Sequence, residues 1–546
     1  MFTDEEKKLL ENYVTSAEDD IFAVKGMEGM TGAAYARYSR AKGGFREVLL
    51  KEFIKEGTID PKHADQLIER ILVAYGDDSV GELEGAHISF ENITMLAAKE
   101  IEDRRIGGSP IEQSTRYVFY DQKTEAGHYR YLRDDCLVKA SFGREYVATM
   151  DFIFETYASL VEPMKEYFEK LKPMAEAEYD INGDGQKEKY SDLKEEKDQK
   201  AFRVTYNIDL RTKACDTLRA ILPVGTLTNV GMFGNGRFYQ GLISYLLSTD
   251  NPELQKIAEK TMAAASQIIP QYVRRARRSE YSAENRRNMF ALAEKLFGQA
   301  ELPAPKGKLE VHLLEPVDRD VSTLAAMLYP FASLSMKQIR EKVEGMTEAD
   351  RQEIIMAYVG ERKTRRDRPG RALEDGYPYN FDTLVNFGVY KDLQRHRMNT
   401  QVRQLFTTKL GFIMPDELVA AGFEDKIKMC VEKSDALFDK ITTENQELAQ
   451  YAVLHGNLVH WFLGMNDREA MHMIELRTTP QGHPQYRYAC QLMHKAISEK
   501  YPWRAEMMKF ADYNDYYWSR ADSEARQRVK ERKLDEKYGE QNAGKD

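Results

Sequence analysis

The chain repeats itself, and that repeat limits its possible folds more than any other feature. Residues 83–109 (LEGAHISFENITMLAAKEIEDRRIGGS) lie over residues 374–400 (EDGYPYNFDTLVNFGVYKDLQRHRMNT) without a gap, at an offset of 291 (395 − 104). Phe90 falls on Phe381, Glu84 on Asp375 and Arg104 on Arg395. In each copy an alternating, aromatic-bearing stretch predicts a strand, and a helical pattern ending in a basic cluster follows it. The strands are predicted at ISFENIT and YNFDTLV, and the helices at MLAAKEIEDRR and NFGVYKDLQRHR. Downstream, GNGRFYQGLISYLL (234–247) matches MNDREAMHMIELRT (465–478). Each carries Asn-x-Arg at the start of an amphipathic helix: Asn235 and Arg237, then Asn466 and Arg468.

The two copies differ in length. Arg104 and Asn235 are 131 residues apart, Arg395 and Asn466 only 71, so the first copy carries 60 more (131 − 71). We place that insertion between 118 and 218, with the charged stretch 180–200 as its tip. GQAELPAPKGKLEVHLLEP (298–316) reads as a linker entering a strand, EVHLL. The division is therefore a first repeat over 1–300, a second over 308–520, and a charged helix fraying into a tail over 521–546.

Composition narrows the function. Of 546 residues, 42% are hydrophobic and 31% charged, which suits a globular chain with a sizeable core and excludes a disordered one. The net charge of −10 argues against a general nucleic-acid binder. Cys136, Cys215, Cys430 and Cys490 lie far apart and form no CxxC pair. Structural zinc and a disulfide framework are not expected, and a reducing, cytoplasmic setting is. The start, MFTDEEKKLLENYV, lacks a signal-peptide core, and no apolar run approaches the length of about 20 residues that spans a bilayer.

The richest chemistry lies in RRIGGSPIEQSTRY (104–117) and in Arg395-His396-Arg397. Arg116 can fork onto a phosphate, and Ser109, Ser114 and the loop amides add donors. Glu112 and Gln113 add an acceptor and an amide able to read a base edge. The alternative is a surface helix end whose arginines pair with nearby acids.

These residues resemble the flavin-dependent thymidylate synthases, whose signature is RHRxxSxxxxSxR. The first repeat reads Arg104-Arg105-Ile106, then Ser109, Ser114 and Arg116. It keeps both serines and the last arginine but loses the histidine and second arginine. The second repeat keeps Arg395-His396-Arg397 and has Thr400, Leu405 and Thr407 at the other places. ACDTLRAILP (214–223) resembles the family's ARExLRxxLP, making Arg219 the counterpart of its substrate-binding arginine. The second repeat has Gln450 there, sixteen residues before Asn466 just as Arg219 precedes Asn235. The helix-end arginine is reversed: Arg477 in the second repeat, Leu246 in the first. Each repeat is degenerate, in opposite places.

The resemblance implies an α+β fold of two tandem repeats, each a mixed or antiparallel sheet with long helices. It implies reductive methylation of dUMP to dTMP, with FAD as cofactor, NADPH as reductant and methylenetetrahydrofolate as methylene donor. It implies a homodimer acting as a pseudo-tetramer, with composite sites. Ser114, Arg116 and Arg477 are the implied catalytic residues. Glu112, Gln113, Ser114, Arg116, Arg219, Arg395 and Arg477 would bind substrate. Arg395, His396, Arg397, Asn466, Arg468, His472, Asn235, Arg237 and Glu84 would bind the flavin. Arg105, Ile106, Leu246, Leu405, Thr407 and Gln450 would meet in inactive sites. Two other readings stay open: an inactive flavin- or nucleotide-binding or scaffold protein, and the same chemistry on another pyrimidine nucleotide.

Four other features are weaker signals. DINGDG (180–185) resembles the start of a calcium loop but has Ser191 where the bidentate glutamate belongs. GMFGNG (231–236) lacks P-loop spacing and suggests a tight helix entry. His455, His460, His472 and His483 do not share a helix face as metal ligands would, and HPQYR (483–487) is read as structural.

Overall fold

The computed structural model describes residues 2–27, 30–39, 41–55, 58–59, 81–300, 302, 304–364, 367, 369–374, 376–518, 525–527 and 529–530. Most of the predicted C-terminal helix, and Asp375, lie outside the described residues. The elements that carry the argument are, in chain order, β1 Gly85–Thr94, α1 Met95–Glu102, β2 Gly108–Glu112, α2 Gly143–Leu171, α3 Glu196–Leu218, β3 Leu227–Asn235 and α4 Gly236–Leu247. The second series is β4 Glu310–Leu313, α5 Arg319–Leu328, α6 Met336–Glu344, β5 Tyr379–Asn386, α7 Phe387–Leu393, β6 Thr400–Arg403, α8 Glu424–Thr442, β7 Leu458–Met465, α9 Asp467–Arg477 and α10 Pro484–Lys500. The protein is α+β, with the predicted strands and helices of both copies in place.

Packing groups the chain into two compact units that do not follow the repeat boundary. One comprises Met1–Ile93, Ala97–Glu112 and Thr228–Glu284; the other comprises Thr94–Leu96, Gln113–Leu227 and Asn285–Asp546.

The first unit holds a three-stranded sheet in the order β1-β3-β2. Burial alternates along β3, as a sheet covered on one face requires. Its core gathers Phe90, Ile93, Val230 and Met232 from the sheet with Leu242, Ile243 and Leu246 from α4. Asn235 ends β3 and caps α4, its side chain accepting from the Phe238 amide at 2.8 Å. GMFGNG is thus a strand passing directly into a helix.

The second unit holds a four-stranded antiparallel sheet in the order β6-β7-β5-β4, with the predicted EVHLL strand at its edge. Every residue of β7 is buried, because this sheet is covered on both faces. Phe381, Val385, Trp461 and Leu463 pack into the larger core, which also takes in α2, α3 and α8. Phe462 packs oppositely, among residues of α5 and α6. The charged insertion tip is a small hairpin, Glu178–Tyr179 against Glu188–Lys189, between α2 and α3. There Asp180 accepts from the amides of Gly183, Asp184 and Gly185, the bonding of a polar turn.

The repeat is legible in hydrogen-bond register. Ser109 of β2 pairs with Phe233 of β3, and Thr400 of β6 pairs with Gly464 of β7. These are the same two positions in each copy, at offsets of 291 (400 − 109) and 231 (464 − 233). Within the second unit an isolated antiparallel bridge joins Pro223 to Leu454, which are themselves equivalents at an offset of 231 (454 − 223). The Val224 amide donates to Val453 at 2.7 Å, and the His455 amide donates to Leu222 at 2.9 Å. Those two bonds exchange under the offset, so the segments after Arg219 and after Gln450 meet about a local two-fold axis.

Asp382 on β5 is buried, accepting from Tyr329 Oη at 3.0 Å and from the Met336 amide at 2.7 Å. Burial pushes its carboxyl up to about 6, against those two donors. A raised carboxyl stabilises the fold below its unfolded pKa, and that contribution is lost as pH rises through the folded value. Asp382→Asn is therefore expected to remove up to about 3 kcal/mol of pH-dependent stability between pH 4 and 7, at a pH-independent cost of about 1 kcal/mol for one lost bond. Urea unfolding of both proteins across that range checks it. Parallel pH profiles would reject it.

Candidate functional site

The second unit brings together residues that the sequence placed in different repeats. Thr115 and Arg116 are buried just after β2, and Ser114 Oγ accepts from the Arg116 amide at 3.2 Å. The Arg116 guanidinium forks onto Asp216 near the end of α3, with Nε to Oδ1 and Nη2 to Oδ2 both at 2.7 Å. Its Nη1 donates to the carbonyl of Gln481 at 2.9 Å, just beyond α9. His483 caps α10 by accepting from the Gln485 amide, and its Nε2 lies 3.3 Å from the Asp216 carbonyl. First-repeat loop and second-repeat helix are joined directly.

Arg219 follows α3 by one residue and is 3% exposed. Its Nη2 donates to Asp392 of α7 at 3.0 Å, while Nη1 is buried with no hydrogen-bond partner. Burial alone would raise the Asp216 and Asp392 carboxyls. Arg116, His483 and Arg219 together outweigh it at Asp216; Arg219, Lys391, Arg116 and His483 together outweigh it at Asp392; and both acids sit below the usual carboxylate range. Burial and the same arginines push His483 down to about 3, so it stays neutral. Burial likewise holds His455 near 3 and His460 near 4. Among the described residues no group of three or more histidine, cysteine and acidic side chains is placed to hold a metal ion.

His396 lies beside this cluster, buried, with Nδ1 3.1 Å from Glu469 Oε1. Arg477 Nε donates to His396 Nε2 at 2.8 Å. The His472 ring is 5.5 Å from that of His396, which sets the Arg-His-Arg turn against α9. Asn466 caps α9 by accepting from the Glu469 amide at 3.0 Å. Arg397, Asn466, Arg468 and His472 are exposed, and Arg395 is half-buried. Gln113 accepts from Arg130 Nη2 at 3.4 Å.

The remaining predicted residues belong to the first unit and have local partners. Glu112 is buried, 3.0 Å from Lys99 Nζ, and Lys99 also pairs with Glu102. Glu84 accepts from the Gly32 amide at 3.1 Å, Asn235 caps α4, and Arg237 pairs with Glu82. Of the residues assigned to inactive sites, Leu246 is in the apolar core. Gln450 is buried and accepts from the Phe406 amide at 3.1 Å, and Thr407 accepts from the Lys409 amide at 3.1 Å.

Asp216, Asp392 and Glu469 were not singled out from sequence. Spacing does not name their partners: Asp216 and Asp392 stand three residues before Arg219 and Arg395, but pair instead with Arg116 and Arg219.

The fold and this cluster define a class: a tandem α+β protein with a buried, arginine-rich polar cluster drawn from both repeats. The sequence profile of the thymidylate synthase complementing protein family matches residues 28–271 and again 313–503, and the chain belongs to that family. A UPF0159 protein of Chlamydia pneumoniae is 36% identical over 547 residues, covering 96% of this chain and 98% of its own. A UPF0159 protein of Thermoplasma acidophilum is 32% identical over 512 residues, covering 91% and 98%. Among the described residues no helix is long and apolar enough to cross a membrane.

Proposed function

We propose that the protein is a flavin-dependent thymidylate synthase, methylating dUMP reductively with methylenetetrahydrofolate and NADPH. The observation that carries this reading is that the second unit holds the residues each repeat has kept: Arg116 bonds to Gln481 and Arg219 to Asp392 across the repeats, and Arg477 bonds to His396. Each repeat supplies what the other has lost. Two such chains would form the pseudo-tetramer the resemblance implies.

The donor set suits FAD chemically. Arg397, Arg468 and His472 are exposed, Arg468 in the first turn of an eleven-residue helix and His472 in its middle, and a diphosphate takes cations and helix-start amides. When bound, FAD would supply the hydride chemistry. The chain's own residues would bind and orient. Arg116 and Arg219 would take the nucleotide phosphate, with Ser114 as a positioning hydroxyl. Arg477 would face the pyrimidine carbonyls and stabilise negative charge developing on the ring.

The degenerate first-repeat signature, with Arg105 and Ile106 where the family has histidine and arginine, favours one rival, a nucleotide-binding protein without turnover. The visible absorption spectrum tests both. Protein desalted after incubation with FAD and dUMP is expected to keep about one flavin per chain, since one of the two site types retains its residues. It should then form dTMP when methylenetetrahydrofolate and NADPH are added. Flavin retention without dTMP would favour the rival. No retained flavin would remove the enzyme reading.

A further inference from the structure

Arg477 Nε donates to His396 Nε2, and arginine has no acceptor, so Nε2 must be the unprotonated nitrogen. The proton of the neutral ring is therefore on Nδ1, donated to Glu469 Oε1 at 3.1 Å. His396 is 4% exposed and Glu469 7%. Burial and the Arg477 charge hold the imidazole below its ordinary pKa, against the pull of Glu469, with the His472 charge acting in the same direction as Arg477. Arg477 is half-buried, and among the described residues no hydrogen-bond partner occupies its two Nη groups.

The three residues are also kept or lost as a set. At the offsets of the repeat, His396, Glu469 and Arg477 correspond to Arg105, Phe238 and Leu246. The first repeat lacks all three. Phe238 and Leu246 there belong to the apolar core.

We propose that Glu469 and His396 are positioning residues for Arg477, anchoring its guanidinium by Nε so that both Nη groups stay available to the carbonyl oxygens of a pyrimidine. The ligand rests on the nucleotide reading above; the anchoring does not. The chain Glu469–His396–Arg477 fixes the ring tautomer from one side and the guanidinium from the other. Long arginine side chains lose rotamer freedom when ordered, and an arginine ordered in advance loses less on binding.

Two near-isosteric substitutions separate the ends of the chain. His396→Gln keeps an amide group near the Nε2 position and can still accept from Arg477. His396→Asn keeps an amide near Nδ1, can still donate to Glu469 and loses the acceptor for Arg477. Both replace the same buried ring, so a merely structural role would affect both alike. With FAD present, calorimetric titration with dUMP is expected to give His396→Gln an affinity at least about 10-fold higher than that of His396→Asn. His396→Asn and Glu469→Ala are expected to bind at least about 10-fold more weakly than the parent. Equal losses in the two histidine variants would overturn the proposal.

A second readout needs no ligand. In arginine-labelled protein the Arg477 Nε–H resonance is expected to be protected from solvent exchange in the parent and in His396→Gln, and to exchange in His396→Asn. Rapid exchange in the parent overturns the anchoring, whether or not the variants fold. If the parent binds no dUMP while this exchange pattern holds, the nucleotide reading fails and the anchoring of Arg477 stands.

Discussion

Arg116→Ala is expected to lower stability by about 3–5 kcal/mol, the cost of leaving a buried acid without its partner. The acid is Asp216, held at 2.7 Å through both oxygens. The double variant Arg116→Ala/Asp216→Ala removes the stranded charge and should recover most of the loss. The same single substitution should weaken dUMP binding about 10- to 100-fold, the range for one charge-assisted hydrogen bond. Thr407→Ala, at the equivalent place in the second repeat, should stay within about 0.5 kcal/mol and leave binding unchanged, since its hydroxyl only accepts from a neighbouring amide. The pH dependence has a definite sign. The folded Asp216 carboxyl is depressed, so its contribution is present above the unfolded pKa and is lost as pH falls through the folded one. Arg116→Ala should flatten that acid limb. Equal effects at Arg116 and Thr407 on dUMP binding would sink the composite site.

Much of this was legible in the chain itself. The strand–helix succession repeats with a fixed offset, and hydrophobic periodicity is a local property that a sequence displays directly. Arg116, Arg219, His396 and Arg477 were found because each is the residue one repeat keeps and the other loses. Their partners were harder to see. Asp216 is a hundred residues from Arg116, and Asp392 is 173 from Arg219, so only the folded chain brings them together. Glu469 looked like one of many acids in the first turn of a helix, where acids are common anyway. Glu84, Asn235 and Glu112 have partners that motif position did not reveal: a backbone amide, a helix cap and a buried lysine. Motif position cannot separate a structural role from a binding one, because the same donors and acceptors serve both.

Asp392→Ala tests whether the arginines of this cluster await an anion. Arg219 already has one buried Nη without a hydrogen-bond partner, and Asp392 is the carboxylate that neutralises it. Removing that carboxylate strands a buried guanidinium and should cost about 3 kcal/mol. A phosphate could then take the place of the lost oxygens. Thermal unfolding with dUMP or inorganic phosphate should therefore stabilise Asp392→Ala more than the parent, recovering about 2.7 kcal/mol at a hundredfold excess over the dissociation constant. Chloride at matched ionic strength should not, because screening without a bidentate acceptor leaves the guanidinium's donors unpaired. Gln450→Ala is the internal control. It removes a neutral amide bonded to the Phe406 amide, should cost about 1–3 kcal/mol, and should show no added response to phosphate. If parent and Asp392→Ala respond equally to phosphate, Arg219 is a structural cation, and its pairing with Asp392 is the end of its role rather than the resting state of a binding site.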